Sequence, residues 1–264
     1  MTNLQNAVVL ITGATGGFGQ ELTHQLLALG SQLVLSDLDA DQLQGQAIAS
    51  QKEAKPGKVL ATIAADLSIP AESERLYARI KELGITVDVL INNAGLGLYG
   101  RMDELPTASW ECLMQVNLLA PMRLSALFGR DAIARGSGHV VNISSLAGWV
   151  APAGFAPYSS SKFGLRGFSE ALAAEMQPHN VKVTAVYPFF SRTPILESLR
   201  YGELASSKSL LPDRWVTDPA QVMQATIVGI QRDRLHVFPD RPARFIHLLK
   251  RYFPSPLTWI MGRS

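Results

Sequence analysis

The sequence predicts a doubly wound α/β fold, a parallel sheet with helices on both faces. Short apolar runs alternate with longer amphipathic stretches from residue 7 to residue 186, the rhythm of a parallel sheet. The apolar runs are near-continuous rather than alternating, as strands covered on both faces are. Length and composition agree. A chain of 264 residues, 47% hydrophobic and 17% charged, suits one α/β domain with a core that needs no staple. This composition excludes disorder, collagen and coiled coil as readings of the whole chain. A net charge of +2 gives no indication of nucleic acid. The single cysteine, Cys112, excludes an intrachain disulfide. With the five histidines (His24, His139, His179, His236, His247) in separate elements, no metal site is expected.

The elements follow in order. Ala7–Ile11 reads as a buried strand and Gly13–Gly19 as a glycine-rich turn. Gln20–Leu29 repeats leucines at helical spacing and is closed by Gly30. Gln32–Ser36 is a strand ended by Asp37, and a polar helix follows near Asp39–Lys52. Lys58–Ala64 is a strand, Glu72–Leu83 a helix and Val87–Ile91 a strand. Thr107–Arg135 reads as one long helix with a kink at Pro121. His139–Ile143 is a strand, Ser159–Met176 a helix and Val181–Val186 a strand. Residues 190–218, with Pro194, Gly202, Pro212 and Pro219, read as an insertion over the sheet within a single domain spanning 1–264. The N-terminus lacks a basic leader region, and no run of 18 apolar residues is present, so the expected location is the cytoplasm.

The first chemical signal is Thr12-Gly13-Ala14-Thr15-Gly16-Gly17-Phe18-Gly19, between a strand and a helix. Glycines there let backbone approach a pyrophosphate, and the helix N-terminus offers free N–H groups to it. A plain tight turn would also use glycine. The second signal is Asp37, 18 residues past Gly19, where an acid can accept from adenosine ribose hydroxyls. An N-cap for the next helix is the other reading of Asp37, and Asp39 could serve that role instead.

At this point the chain resembles the short-chain dehydrogenase/reductase family, over residues 6 to about 195. Thr12–Gly19 matches its glycine motif, with Gly13, Thr15, Gly16, Gly17, Phe18 and Gly19 facing the cofactor. Asp66, followed by Leu67, matches its adenine-side acid. Asn92-Asn93-Ala94-Gly95 matches its Asn-Asn-Ala-Gly motif, Asn117 its helix asparagine, Ser145 its serine, and Tyr158-Ser159-Ser160-Ser161-Lys162 its Tyr-x-x-x-Lys motif. Pro188 and Thr193 fit the loop beyond the last strand, but Phe189 stands where the family has glycine. The resemblance implies a Rossmann-type oxidoreductase that moves hydride between nicotinamide and a secondary alcohol or ketone. Asn117, Ser145, Tyr158 and Lys162 are then the catalytic set. Asn93, Ala94, Gly95, Tyr158 and Lys162 lie on the cofactor. Asn117 would orient a water that links Lys162 to solvent. A nucleotide-binding regulatory protein without useful turnover is the alternative.

The residues themselves support such chemistry. Tyr158 and Lys162, four apart, share one helix face. A free phenol is a poor base at neutral pH. An ammonium about 4 Å away is worth roughly 4 kcal/mol at an effective dielectric of 20, an upper figure because desolvation of the phenolate works against it, so Lys162 is expected to draw Tyr158 toward the working pH. Ser145, 13 residues earlier and at a strand end, can hold the substrate oxygen. Asp37, with no cation at Ala14, Thr15, Gly16 or Leu38, predicts NAD(H) in preference to NADP(H), since a 2′-phosphate would be repelled. NADP(H) remains open.

The lid region around 190–218 carries Phe189, Phe190, Ile195, Leu196, Leu199, Tyr201, Leu204, Leu210, Leu211 and Trp215, and Leu96, Leu98 and Tyr99 can line the same mouth. This predicts a bulky, apolar substrate. Arg192, Arg200 and Lys208 keep an anionic one open. Residues 241–264 interleave Arg241, Arg244, Lys250 and Arg251 with Phe245, Ile246, Leu248, Leu249, Phe253, Leu257, Trp259 and Ile260. Such a segment packs on the cleft or on another subunit, or it lies on a membrane surface. Pro254 and Pro256 interrupt it. The expected assembly is a homodimer or homotetramer, with no nucleic acid partner.

Overall fold

The computed structural model describes residues 1–52, 56–193, 199–206 and 216–253. Its elements are β1 (Val8–Thr12), α1 (Gly17–Ala28), β2 (Gln32–Asp37), α2 (Ala40–Lys52), β3 (Lys58–Ala64), α3 (Pro70–Glu82), β4 (Val89–Asn92), β5 (Leu98–Tyr99), α4 (Thr107–Met114), α5 (Ala120–Arg135), β6 (Gly138–Ile143), α6 (Ala156–Met176), β7 (Val181–Val186), β8 (Leu199–Arg200), α7 (Pro219–Gln231), β9 (His236–Val237) and α8 (Arg241–Tyr252). Seven strands form a parallel sheet in the order β3-β2-β1-β4-β6-β7-β9, a Rossmann-type fold.

The continuous apolar strands are explained by what covers them. Val9 and Ile11 join Leu22 and Leu26 of α1 and Met223 and Ile227 of α7 in one layer. Leu10, between them, joins Leu76 of α3, Leu124 and Phe128 of α5 and Leu172 of α6 in the other. Alternate side chains of one strand thus enter two cores, and both must be apolar. Full burial of each leucine or isoleucine contributes about 1.5–3 kcal/mol.

All six expected strands form, and β9 adds a seventh at the edge by pairing with Ala185 and Val186. Two residues are too short for a periodicity signal. The order reverses between β1 and β4, so the chain leaves β1 toward one edge and returns to build the other half. The crevice at that reversal, beyond the carboxyl ends of the strands, is where open α/β sheets bind ligands. The turn after β1 and the segment after β4 meet there.

The long helix is broken, but not where a kink at Pro121 would place it. Gln115–Leu119 forms a π turn, closed by the Ala120 N–H on the Gln115 carbonyl, and Pro121 lies in the first turn of α5. Proline has no N–H for the carbonyl four residues back, which is that of Asn117. The wider turn absorbs this defect one turn early. Thr107–Arg135 meets the length and hydropathy of a bilayer-crossing helix. Here it packs on α3 and α6 and carries the fully buried Asn117, as a core helix does.

The base of the expected insertion is tied. Ser191 and Thr217 form a parallel bridge, their hydroxyls are 2.7 Å apart, and the Thr217 N–H donates to the Phe190 carbonyl at 2.9 Å. Further out, β8 pairs with β5. Ile195, Leu196, Lys208, Leu210, Leu211 and Trp215 lie outside the described residues, as do Leu257, Trp259 and Ile260.

His139 of β6 is buried between Thr2 and Thr184, each hydroxyl 2.8 Å from a ring nitrogen. Burial pushes its pKa from 6.5 down to about 4. The unfolded chain therefore binds a proton that the folded one refuses, and stability falls as pH drops from 6.5 toward 4. Between pH 7 and pH 4.5 the wild type should lose roughly 2 kcal/mol more stability than His139→Gln, read by urea unfolding at each pH.

Candidate active site

Two strand ends are clamped together at the crevice. The Asn93 side-chain amide donates to the carbonyls of Thr12 (3.0 Å) and Gly13 (2.8 Å). The Thr12 hydroxyl accepts from the N–H groups of Asn93 (3.1 Å) and Ala94 (3.2 Å). Gly13 has φ +65°, and a Cβ there would stand 2.7 Å from the Ala94 Cα, so only glycine fits. A Cβ on Gly19 would collide with the Gly13 carbonyl, which lets α1 begin directly on the turn. Gly16 caps α1 with no side-chain bond, and the first turn, Gly17-Phe18-Gly19, holds no acid. Its N–H groups are suited to an anion.

Asp37 closes the outer end of this turn. Its Oδ2 accepts from the Thr15 N–H and hydroxyl, both at 2.7 Å, and its Oδ1 from the Leu38 N–H at 2.7 Å. The helix-cap alternative falls to Asp39, which accepts from Asp41 and Gln42 N–H groups. Asp66 turns its Oδ1 to the Ser68 N–H (2.9 Å), and the Leu67 carbonyl accepts from the Gln115 amide (3.3 Å).

Asn117 and Lys162 meet beside Gly95, and Tyr158 stands between Lys162 and Ser145. A Cβ on Gly95 would lie 3.5 Å from Asn117 Oδ1 and 3.7 Å from Lys162 Nζ. The Asn117 side chain is fully engaged. It accepts from the Leu96 N–H (2.7 Å) and donates to the Leu96 carbonyl (2.9 Å) and the Ser161 hydroxyl (3.3 Å). Pro121 has no N–H to offer the Asn117 main-chain carbonyl four residues back. Ser144 donates to the Lys162 carbonyl (3.1 Å). Ser145 accepts from the Ala147 N–H (3.1 Å), so its own proton points elsewhere, and its hydroxyl is a partner for that of Tyr158.

One expectation needs correction. Lys162 was expected to draw the Tyr158 phenol down. Instead burial pushes Tyr158 up, opposed only by the Ser145 hydroxyl. Burial also pushes Lys162 itself down to about 8. Its Nζ donates to the Ile143 carbonyl at 3.0 Å and lies 5.7 Å from the Tyr158 ring centre, so its charge is directed to a main-chain dipole rather than to the hydroxyl.

The surroundings of Tyr158 are aromatic. Phe155, which sequence reasoning passed over, touches Tyr99 (ring centres 4.9 Å apart), Tyr158 (6.1 Å) and Phe190 (6.1 Å). It lies three residues before Tyr158, and that spacing was the available signal. Leu98 is buried with Leu105 and Leu113, against Tyr158 and Tyr201. It supports the mouth rather than lining it, whereas Leu96 is exposed. Phe189 does not need glycine's freedom, since it is not among the described residues with positive φ. Its N–H donates to Asp240 at 2.9 Å, a second residue with no sequence signal of its role. Pro188 accepts from the Leu146 N–H (2.9 Å), and Thr193 folds back on Ser191 (2.7 Å).

This fold and this cluster define the nucleotide-binding oxidoreductases of the Rossmann type. Residues 7–204 match the family model for short chain dehydrogenase, and the chain belongs to that family. It is 29% identical over 211 residues to an NAD-dependent glycerol dehydrogenase of Listeria innocua serovar 6a, covering 80% of this chain and 81% of that one. It is 31% identical over 255 residues to epidermal retinol dehydrogenase 2 of Homo sapiens, covering 96% and 80%. A short-chain dehydrogenase from Sphingobium yanoikuyae, solved in complex with NADPH, superposes with a TM-score of 0.80 at 28% identity, covering 98% and 96%. A nicotinamide cofactor follows from these relatives.

Lysine at about pKa 8 in the fold and near 10.4 in the unfolded chain makes folding release a proton between those values. Stability from this group therefore rises as pH rises from 8 to 10.4. Relative to Lys162→Met, whose stability lacks this dependence, the wild type should gain about 2–3 kcal/mol between pH 7 and pH 10, measured by denaturant midpoints.

Proposed function

We propose that this protein oxidises and reduces a bulky, largely apolar secondary alcohol and its ketone, using NAD(H) in preference to NADP(H). The observation that carries the reading is the gathering of Tyr158, Ser145 and Lys162 against an aromatic wall of Phe155 and Phe190. The first turn of α1 holds the pyrophosphate and Asp37 the adenosine ribose. Asp66 and Leu67 border the adenine, and Gly95, Tyr158 and Lys162, with Pro188 and Thr193, border the nicotinamide half. Asn93 and Ala94 act from beneath by fixing the turn.

When bound, the nicotinamide accepts or supplies the hydride and brings a positive ring in its oxidised form. The chain's residues handle the oxygen and its proton. Ser145 donates a hydrogen bond to the substrate oxygen, because its acceptor side already takes the Ala147 N–H. Tyr158 takes the alcohol proton in oxidation and returns it in reduction. The Ser145 hydroxyl opposes the rise that burial gives the phenol, and Lys162, charged below about pH 8, holds its ammonium on the Ile143 carbonyl. The proton then leaves past Lys162 toward the Asn117 main-chain carbonyl.

Cofactor choice rests on Asp37. Thr15 and Leu38 hold its carboxylate in place, so it cannot swing away from a 2′-phosphate carrying about −1.5 to −2 charge. Substrate size rests on the aromatic wall of Phe155 and Phe190. Leu119 and Met122, with Phe163 on α6, are exposed apolar side chains and support a homodimer or homotetramer through that face.

Tyr158→Phe should lower kcat by about 10²–10⁴-fold while the affinity for NADH, read by fluorescence, stays within about threefold. Retention of more than about a tenth of wild-type kcat would remove Tyr158 from this role. A panel of secondary alcohols and polyols, each run with both cofactors, tests the rest. Bulky apolar alcohols should exceed glycerol in kcat/KM, and NAD should exceed NADP at least about tenfold, as expected for repulsion worth more than 1.4 kcal/mol. Glycerol as the better substrate would overturn the substrate assignment and leave hydride transfer standing.

A further inference from the structure

Helix α8 has two faces that the fold uses unequally. Its inner face is fixed. Ala243 and Ile246 pack with Leu146, Val150 and Trp149, and Asp240 caps the first turn through the Ala243 N–H at 2.8 Å. The spacing i, i+3, i+7 puts Phe245, Leu248 and Tyr252 together on the opposite face. They are 58%, 50% and 64% exposed, and Phe253, next along, is 59% exposed. Three large apolar side chains in one exposed stripe form a patch rather than scattered residues.

The charge around the stripe is of one sign. Residues 241–253 contain Arg241, Arg244, Lys250 and Arg251 and no acid. Arg241 and Arg251 are exposed; at helical spacing Arg241 falls within the stripe and Arg251 at its edge, and the Arg251 guanidinium lies 5.6 Å from the Tyr252 ring centre. Arg244 is anchored by the carbonyls of Phe238 (2.9 Å) and Pro239 (3.4 Å), so its charge is fixed at the rim. Apolar side chains with a phenol among them, edged by arginines, have the composition of a helix that lies in a headgroup layer. A second copy fits this surface less well. A two-fold contact would set the arginines of one helix against those of the other, with no carboxylate on either helix to pair them.

We propose that α8 docks the protein on a phospholipid surface rich in anionic headgroups, with Phe245, Leu248 and Tyr252 entering the acyl boundary and Arg241 and Arg251 on the phosphates. This surface is separate from the hydride-transfer site and does not depend on the substrate assigned to it. Its neighbour is the loop at Phe189, which Asp240 ties to the start of α8, so docking sets the substrate side of the molecule beside the bilayer.

Cosedimentation of the full-length chain with vesicles tests this. Binding to phosphatidylcholine vesicles containing phosphatidylglycerol should exceed binding to phosphatidylcholine alone by at least about tenfold and fall as salt is raised. Phe245→Ser/Leu248→Ser should lose at least about tenfold in affinity. Arg241→Glu/Arg251→Glu should lose the preference for phosphatidylglycerol. Each variant should keep the wild-type thermal midpoint and activity, since the altered side chains face solvent. Trp259→Ser/Ile260→Ser, beyond the helix, should still bind. Absence of binding to phosphatidylglycerol vesicles overturns the proposal. So does binding that survives Phe245→Ser/Leu248→Ser but is lost in the Trp259/Ile260 variant. A change of oligomeric state in the Phe245/Leu248 variant, without vesicle binding by the wild type, would assign the face to a second copy instead.

Discussion

The contact between Gly13 and Ala94 is the constraint on which the rest of the crevice depends. Backbone from the ends of β1 and β4 comes so close that a single added Cβ would sit 2.7 Å from the Ala94 Cα. Four hydrogen bonds hold the approach, two from the Asn93 amide to the turn and two from main-chain N–H groups to Thr12. Each contributes about 0.5–1.5 kcal/mol net. Their geometric effect is larger, because they fix the direction in which α1 leaves the turn. Asp37 then joins the same turn to the end of β2 through Thr15. Three strand ends therefore share one rigid loop, and an anion site built on its N–H groups needs no ordering when it fills.

A second lacing holds the other half. Asn117 grips both main-chain groups of Leu96, which fixes the segment after Gly95 against the π turn. Lys162 reaches back to the Ile143 carbonyl, Ser144 returns to the Lys162 carbonyl, and Leu146 bonds Pro188. The ends of β4, β6 and β7 are thereby tied to α6. Burying a lysine in this lattice opposes its charge and pushes its pKa down to about 8. Preorganised sites commonly hold groups that their own fold destabilises.

Much of this was legible in the sequence. The central strands announced themselves because both faces are covered, which makes Val8–Thr12 and Val89–Asn92 apolar almost throughout. The glycine turn and the Tyr158–Lys162 spacing were legible because each demands particular residues. Helix α7 was also readable, since Asp218-Pro219 is a cap followed by a first-turn proline, and Val222, Met223, Thr226, Ile227 and Ile230 repeat at helical spacing. It was passed over with the irregular stretch before it. Other features were not legible. The two residues of β9 carry no period. Pro121 is visible, but the place of the π turn depends on the tether between Asn117 and Leu96, a contact across 21 residues. Asn93 stands in a motif associated with the cofactor, yet its amide faces the turn beneath. The pull of Lys162 on Tyr158 was expected to outweigh desolvation of the phenolate, but burial is the larger effect, and spacing does not reveal that Lys162 turns to the Ile143 carbonyl.

Phe189 shows how a departure from a family pattern can be absorbed. Glycine at such a position offers conformational freedom and open space. Here the backbone stays out of the left-handed region, so the freedom is not needed, and Asp240 accepts the Phe189 N–H. The phenyl ring then packs edge-on against Phe190, with centres 5.2 Å apart, and joins the cluster under α8. Burial raises the Asp240 pKa while the two N–H groups it accepts lower it, so the same bonds that hold the loop also hold the carboxylate's charge. Thr217 fixes the other end of the loop on Phe190 and Ser191. What the phenylalanine adds to these main-chain ties is its ring, which packs the loop against the cluster under α8.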